Sequence, residues 1–124
     1  MEALGLSNFI GVAGGSCERM FSGCTNLSHL HLDGFLFSYA SNFNNAFTGC
    51  SSLITCCIKK VAKNIAFADS SKISKESIIY IIENAVPSSA ITITLHPDAY
   101  ERLIDDADVV AALEAQPLIS LVSA

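Results

Sequence analysis

Phe21-Ser22-Gly23-Cys24-Thr25-Asn26-Leu27 returns as Phe47-Thr48-Gly49-Cys50-Ser51-Ser52-Leu53, an offset of 26 residues. At the same offset Leu30 aligns with Cys56 and Leu32 with Ile58. Carried backwards, Leu4, Leu6 and Phe9 fall on Leu30, Leu32 and Phe35, Cys17 on Phe43, and Met20 on Ala46. Three registers agreeing at one spacing mark an internal repeat. Each unit offers a short L-x-L strand whose alternate side chains enter a core. A lone strand and its return loop cannot bury that face; stacked copies can, as a parallel sheet over one continuous core.

Composition narrows the classes. With 124 residues, 51% hydrophobic and 15% charged, the chain suffices for one compact domain and is no disordered tail. A net charge of −5 argues against nucleic acid, which demands clustered Lys and Arg. Residues 1–58 carry only Glu2, Glu18, Arg19 and Asp33, whereas residues 59–124 carry the other fifteen charges. That shift divides the chain into degenerate 26-residue repeats (1–58) and a C-terminal unit (59–124), read as one continuous solenoid domain. No apolar run approaches the ~18 residues of a membrane span, and Met1-Glu2-Ala3-Leu4 has neither the basic nor the apolar region of an export signal. Five cysteines (Cys17, Cys24, Cys50, Cys56 and Cys57) form no CxxC pair, and read as small hydrophobes.

The C-terminal unit has ordinary amphipathic patterns. Ile65 to Ala68 suits a short strand. Ser74 is an N-cap for a helix with Ile78, Ile81, Ile82 and Ala85 on one face, stopped by Pro87. Ala90 to Leu95 alternates apolar residues and Thr, a strand with one buried face. Pro97 opens a second helix, with Tyr100, Leu103 and Ile104 as its apolar side; a third spans Asp108 to Ala115, and Leu118 to Val122 is a final strand. Strand, helix, strand, helix, strand implies right-handed crossovers that extend the repeat sheet, and Ile65 to Ile91 is again 26 residues. The expected fold class is therefore α/β: a leucine-rich-repeat-like right-handed solenoid with a parallel sheet and a helical β-α-β cap.

Met20-Phe21-Ser-Gly-Cys24-Thr-Asn-Leu27-Ser-His-Leu30-His-Leu32-Asp-Gly-Phe35, followed by an Asn-rich stretch from Asn42 to Asn45, resembles the BspA-like leucine-rich repeats of bacterial surface proteins. The resemblance covers residues 4–58. It departs where Ala46 stands for a second Met and Cys56 for a leucine. It implies a C-terminal array with a terminal β-α-β unit, placed on a cell surface or secreted. The implied function is non-enzymatic adhesion to a protein or cell-surface ligand, without cofactor. A phage-tail-type fibre tip is the alternative setting. Residue 1 falls midway through a repeat, so either the array continues upstream or this uncapped edge pairs with a second copy as a homo-oligomer.

Residues two apart on a strand share a face. His29, His31 and Asp33 therefore point away from Leu30 and Leu32, and the offset sets Thr55, Cys57 and Lys59 beside them. These six form the expected binding face. His31 and Cys57 would be lateral neighbours about 5 Å apart, so His29, His31 and Cys57 are also a candidate zinc set, and Cys57 with His31 a candidate nucleophile pair. No fourth ligand, orienting group or oxyanion hole has a signature. Gly11 to Gly15 reads as a loop rather than a phosphate cradle, since no Lys-Ser/Thr follows. Asp105, Asp106 and Asp108 read as a solvated helix junction, Lys59, Lys60 and Lys63 as a wet loop face, and His96 as an N-cap neighbour.

Overall fold

The computed structural model describes residues 18–36 and 40–124, preceded by the backbone of 3–5, 11–12 and 15–16; side chains are described for 18–31 and 42–124. In chain order the elements are β1 (Ala3–Gly5), β2 (Gly11–Val12), β3 (Gly15–Ser16), β4 (His29–Leu36), β5 (Ala40–Asn42), β6 (Thr55–Lys59), β7 (Ile65–Phe67), α1 (Lys75–Asn84), β8 (Ile91–Leu95), α2 (Pro97–Leu103), α3 (Ala107–Ala115) and β9 (Ile119–Ser123).

The repeat offset is the pairing register. β1 runs parallel to β4 with Leu4 opposite Leu30, and β6 runs parallel to β4 with Leu30 opposite Cys56. Leu6, Phe9 and Cys17 lie outside the described residues. The return turns stack as well. Arg19, Phe21 and Gly23 donate their backbone N–H groups to the carbonyls of Asn44, Ala46 and Thr48 at 3.0, 2.8 and 2.8 Å. Backbone angles recur at 26 residues too: Arg19 and Asn45 have φ of 57° and 56°, and Gly23 and Gly49 both have 80°. The positive φ is what favours glycine at both positions, since a Cβ on Gly49 would make no more than van der Waals contact with the Gly23 backbone at 3.4 Å. The rings of Phe21 and Phe47 stack at 5.7 Å, and Phe67 from β7 adds a third at 4.8 Å from Phe47.

Beyond β6 the stacking changes, and two expectations are corrected. The C-terminal strands do not extend the β4/β6 sheet; β7, β8 and β9 form a separate three-stranded parallel sheet. Their register places Ile65 opposite Ile93 and Ile91 opposite Ile119, a spacing of 28 rather than 26. Both changes trace to helices on the connections. A helix rises 1.5 Å per residue against about 3.3 Å for a strand, so a helical crossover consumes more chain over the same distance. A smaller correction concerns Gly11 to Gly15, whose ends are strand segments: β2 pairs with Phe35-Leu36 of β4, and β3 pairs with β5.

α1 seals the free side of β6. Ser74 caps it, accepting from the Ser77 N–H at 3.2 Å, and Ser77, Ile78, Ile81 and Ile82 are buried. The Ser77 hydroxyl accepts from the Cys56 N–H at 2.9 Å and donates to the Ile54 carbonyl at 3.3 Å, while the Ser74 N–H reaches that same carbonyl at 2.8 Å. Further along, Lys60 N–H bonds Asn84 O at 2.8 Å and Val86 N–H bonds Val61 O at 2.9 Å. Groups that another strand would satisfy are thus met by a helix and its caps. The turn stack ends similarly: Gly49 N–H bonds the Asp69 carboxylate at 2.8 Å, where Gly23 had a backbone carbonyl, and buried Ser70 donates to Cys50 O at 2.8 Å.

Leu30, Cys56 and Ile58 from the first sheet, Phe67, Ile93 and Leu95 from the second, and the inner faces of all three helices belong to one buried cluster. The core therefore runs unbroken across the compositional boundary near residue 60. Gln116 extends its amide to Ile82 O and Ala85 O, at 3.2 and 3.0 Å, tying the chain after α3 to the carbonyl end of α1. Among the described residues, no helix is long and apolar enough to cross a membrane.

Candidate functional site

Four of the six residues expected on the open face come together. His29 lies opposite Thr55, with its Nδ1 3.0 Å from the Thr55 hydroxyl, and His31 lies opposite Cys57. Between these rows Leu30 and Cys56 are fully buried, whereas His29 is exposed and His31, Thr55 and Cys57 are half-buried. Strand alternation produces this division without further help.

Lys59 is corrected: it pairs with Leu36, not Asp33. Between the paired positions His31/Cys57 and Leu36/Lys59 the chain takes five steps along β4 against two along β6, so the register slips there. An irregularity of this kind re-aims the strand beyond it. Asp33 has its backbone in β4, and its side chain lies outside the described residues.

The ladder presents two imidazoles, a hydroxyl and a thiol. Among the described residues no three His, Cys, Asp or Glu side chains are grouped so that they could hold a metal ion; His29, His31 and Cys57 are not such a set. Cys24, Cys50, Cys56 and Cys57 are thiols rather than disulfide halves. Burial, with Cys24 beside it, pushes the Cys50 thiol up to about 11. Burial drives the Cys56 thiol higher still. The thiolate is the nucleophilic and metal-binding form, so both act as core side chains at neutral pH. Cys17 lies outside the described residues.

Polar clusters elsewhere serve the architecture. Asp106 caps α3, accepting from Asp108 N–H at 2.9 Å, and Lys75 of α1 sits 3.4 Å from Asp106 and 3.0 Å from Asp108. That trio is the helix junction the carboxylates suggested. His96 is itself the N-cap of α2, its Nδ1 accepting from Asp98 N–H at 3.0 Å. Arg102 donates to the carbonyls of Ser71 and Ile73, which ties α2 to the turn before α1.

Three depressions in the surface lie away from the ladder. One of about 740 Å³ separates α1 from α3, between the Lys75 cluster and Gln116. Two more, of about 430 and 270 Å³, share Asn44 and Asn64 and border β7 and β8. Sequence reasoning missed this pair. The alternation of Thr92 and Thr94 was visible as a wet strand face, yet nothing in the sequence set it beside Asn44. No protein-family model, curated protein or solved structure matches the chain.

Proposed function

We propose that this chain is a recognition module without catalytic activity. In this reading it is the end of a solenoid of leucine-rich-repeat type that binds a protein or cell-surface ligand through the outer face of β4 and β6. One observation carries the reading. Parallel strands in a 26-residue register bury Leu30 and Cys56 completely and turn His29, Thr55, His31 and Cys57 outward in paired rows. Solenoids offer extended surfaces made from such non-core strand positions. The seal over β6 by Ser74 and Ser77 supports the further reading of the C-terminal unit as a cap. The resemblance to BspA-like surface proteins supports placement on a cell surface or in secreted form. That last step rests on family likeness in residues 4–58 and on nothing in the ladder itself.

The test uses beads coated with the intact protein on cultured epithelial cells. Adhesion above that of beads carrying an unrelated protein is expected. A His29→Glu/His31→Glu double variant, with an unchanged circular dichroism spectrum, should reduce it about tenfold, the effect of losing one good interface contact. Adhesion equal to the control beads, or indifferent to the double variant, overturns the reading.

A further inference from the structure

Beside the second sheet, built from none of the ladder residues, two depressions adjoin at Asn44 and Asn64 and together outline a trough. Their volumes, about 430 and 270 Å³, bring the trough within the ~300–1,000 Å³ range of small-ligand sites. Thr92 and Thr94, two apart on β8, point into one wall, and exposed Asn44 and Asn64 stand across from them.

The bonding capacity left over along this trough is specific in kind. Among the described residues neither Thr hydroxyl has a hydrogen-bond partner, and the Asn44 side-chain amide has none either. Asn64 uses its Oδ1 to accept from Thr92 N–H at 2.9 Å, which fixes the amide in place and leaves its NH₂ group for solvent. Thr hydroxyls and an Asn amide can each both donate and accept. Charge is confined to Glu18 in one depression and Lys63 in the other. None of the exposed large apolar side chains, Met20, Ile54, Val86, Val110 and Leu118, lines the trough.

These properties select a ligand class. A protein partner anchors through aromatic, Met or Arg side chains offered at the surface, and the one such side chain described along the trough, Phe43, is 4% exposed and packed into the core. A nucleic acid or other polyanion needs several cations, and a single lysine, with a glutamate in the neighbouring depression, does not provide them. A ligand dense in hydroxyl groups, uncharged and extended, matches both the donor–acceptor inventory and the concave shape. We infer that the trough between the Asn44 turn and β8 binds a neutral oligosaccharide, with Asn44, Asn64, Thr92 and Thr94 as its hydrogen-bonding contacts. This site stands independently of the β4/β6 ladder.

Saturation-transfer NMR on the intact protein tests it, with cellotetraose, maltotetraose, mannotetraose and chitotetraose as probes. Saturation of at least one probe is expected. A Thr92→Val/Thr94→Val variant keeps the β-branched shape and removes two hydroxyls, which should weaken that probe's binding about tenfold. Asn44→Ala should weaken it also and gives the answer if the double variant does not fold. His31→Ala should leave it unchanged, separating this site from the ladder. No saturation of any of the four probes, saturation that persists in the Thr92/Thr94 and Asn44 variants, or loss in the His31 variant alone would each overturn the inference.

Discussion

Replacing Phe47 by alanine is expected to lower the unfolding free energy by about 3–5 kcal/mol, the range for deleting a buried aromatic ring. Phe47 is only 3% exposed and stands in the middle of a column of three rings. Phe21 belongs to the first return turn, Phe47 to the second, and Phe67 to β7, where the second sheet begins. Truncating the middle ring opens a void between the repeats and the unit that closes them, and both neighbours lose their stacking partner. Phe21→Ala should cost less, because Phe21 is half-buried and, among the described residues, its ring meets Phe47 alone. Urea unfolding of both variants, with the slope unchanged, measures the difference. A Phe47→Ala loss no larger than that of Phe21→Ala would show that the column does not join the two halves.

Ser77→Ala is expected to cost about 1–3 kcal/mol, which is large for the removal of one oxygen atom. Ser77 is 2% exposed, and its hydroxyl is the acceptor for the Cys56 N–H. Without it that N–H stays buried beside the helix with no partner and no access to water. The Ile54 carbonyl is less affected, since the Ser74 N–H also reaches it at 2.8 Å. The penalty therefore falls on one identifiable group. Exposed Ser120 on β9 supplies the comparison, and Ser120→Ala should stay within about 0.5 kcal/mol of the parent. Equal effects at the two serines would mean that the β6 edge is not closed by α1.

Much of this fold is legible in the chain because its signals are local or strictly periodic. The F-x-G-C-x-x-L repeat shows in the recurrence of Phe21 and Phe47, and the structure uses that spacing as its strand register. Ser74 ahead of the Ile78, Ile81 and Ile82 face announces α1, and Pro97 announces α2, because caps and helical spacing are written within a few residues. What was not legible depends on partners distant in sequence. Nothing in His29 to Leu36 says that the register slips beyond His31, which is why Lys59 was misplaced beside Asp33. The closing of β6 by Ser77 sets a helix-interior serine against a strand 21 residues earlier, a contact with no period to betray it. The same holds for one side of the trough: Asn64 and Thr92 keep the 28-residue spacing of the second sheet and bond directly, but Asn44 stands at neither the 26- nor the 28-residue spacing from either of them.

The central claim is that residues 26 apart lie side by side on parallel strands. Isotope-edited NOE spectroscopy of the protein in solution measures this without perturbing it. Backbone amide-to-α cross-peaks should link the His29-Leu30-His31 segment to Thr55-Cys56-Cys57 in the parallel pattern, with Leu30 facing Cys56. Cross-peaks in an antiparallel pattern, at another offset, or absent between these two segments would contradict the account.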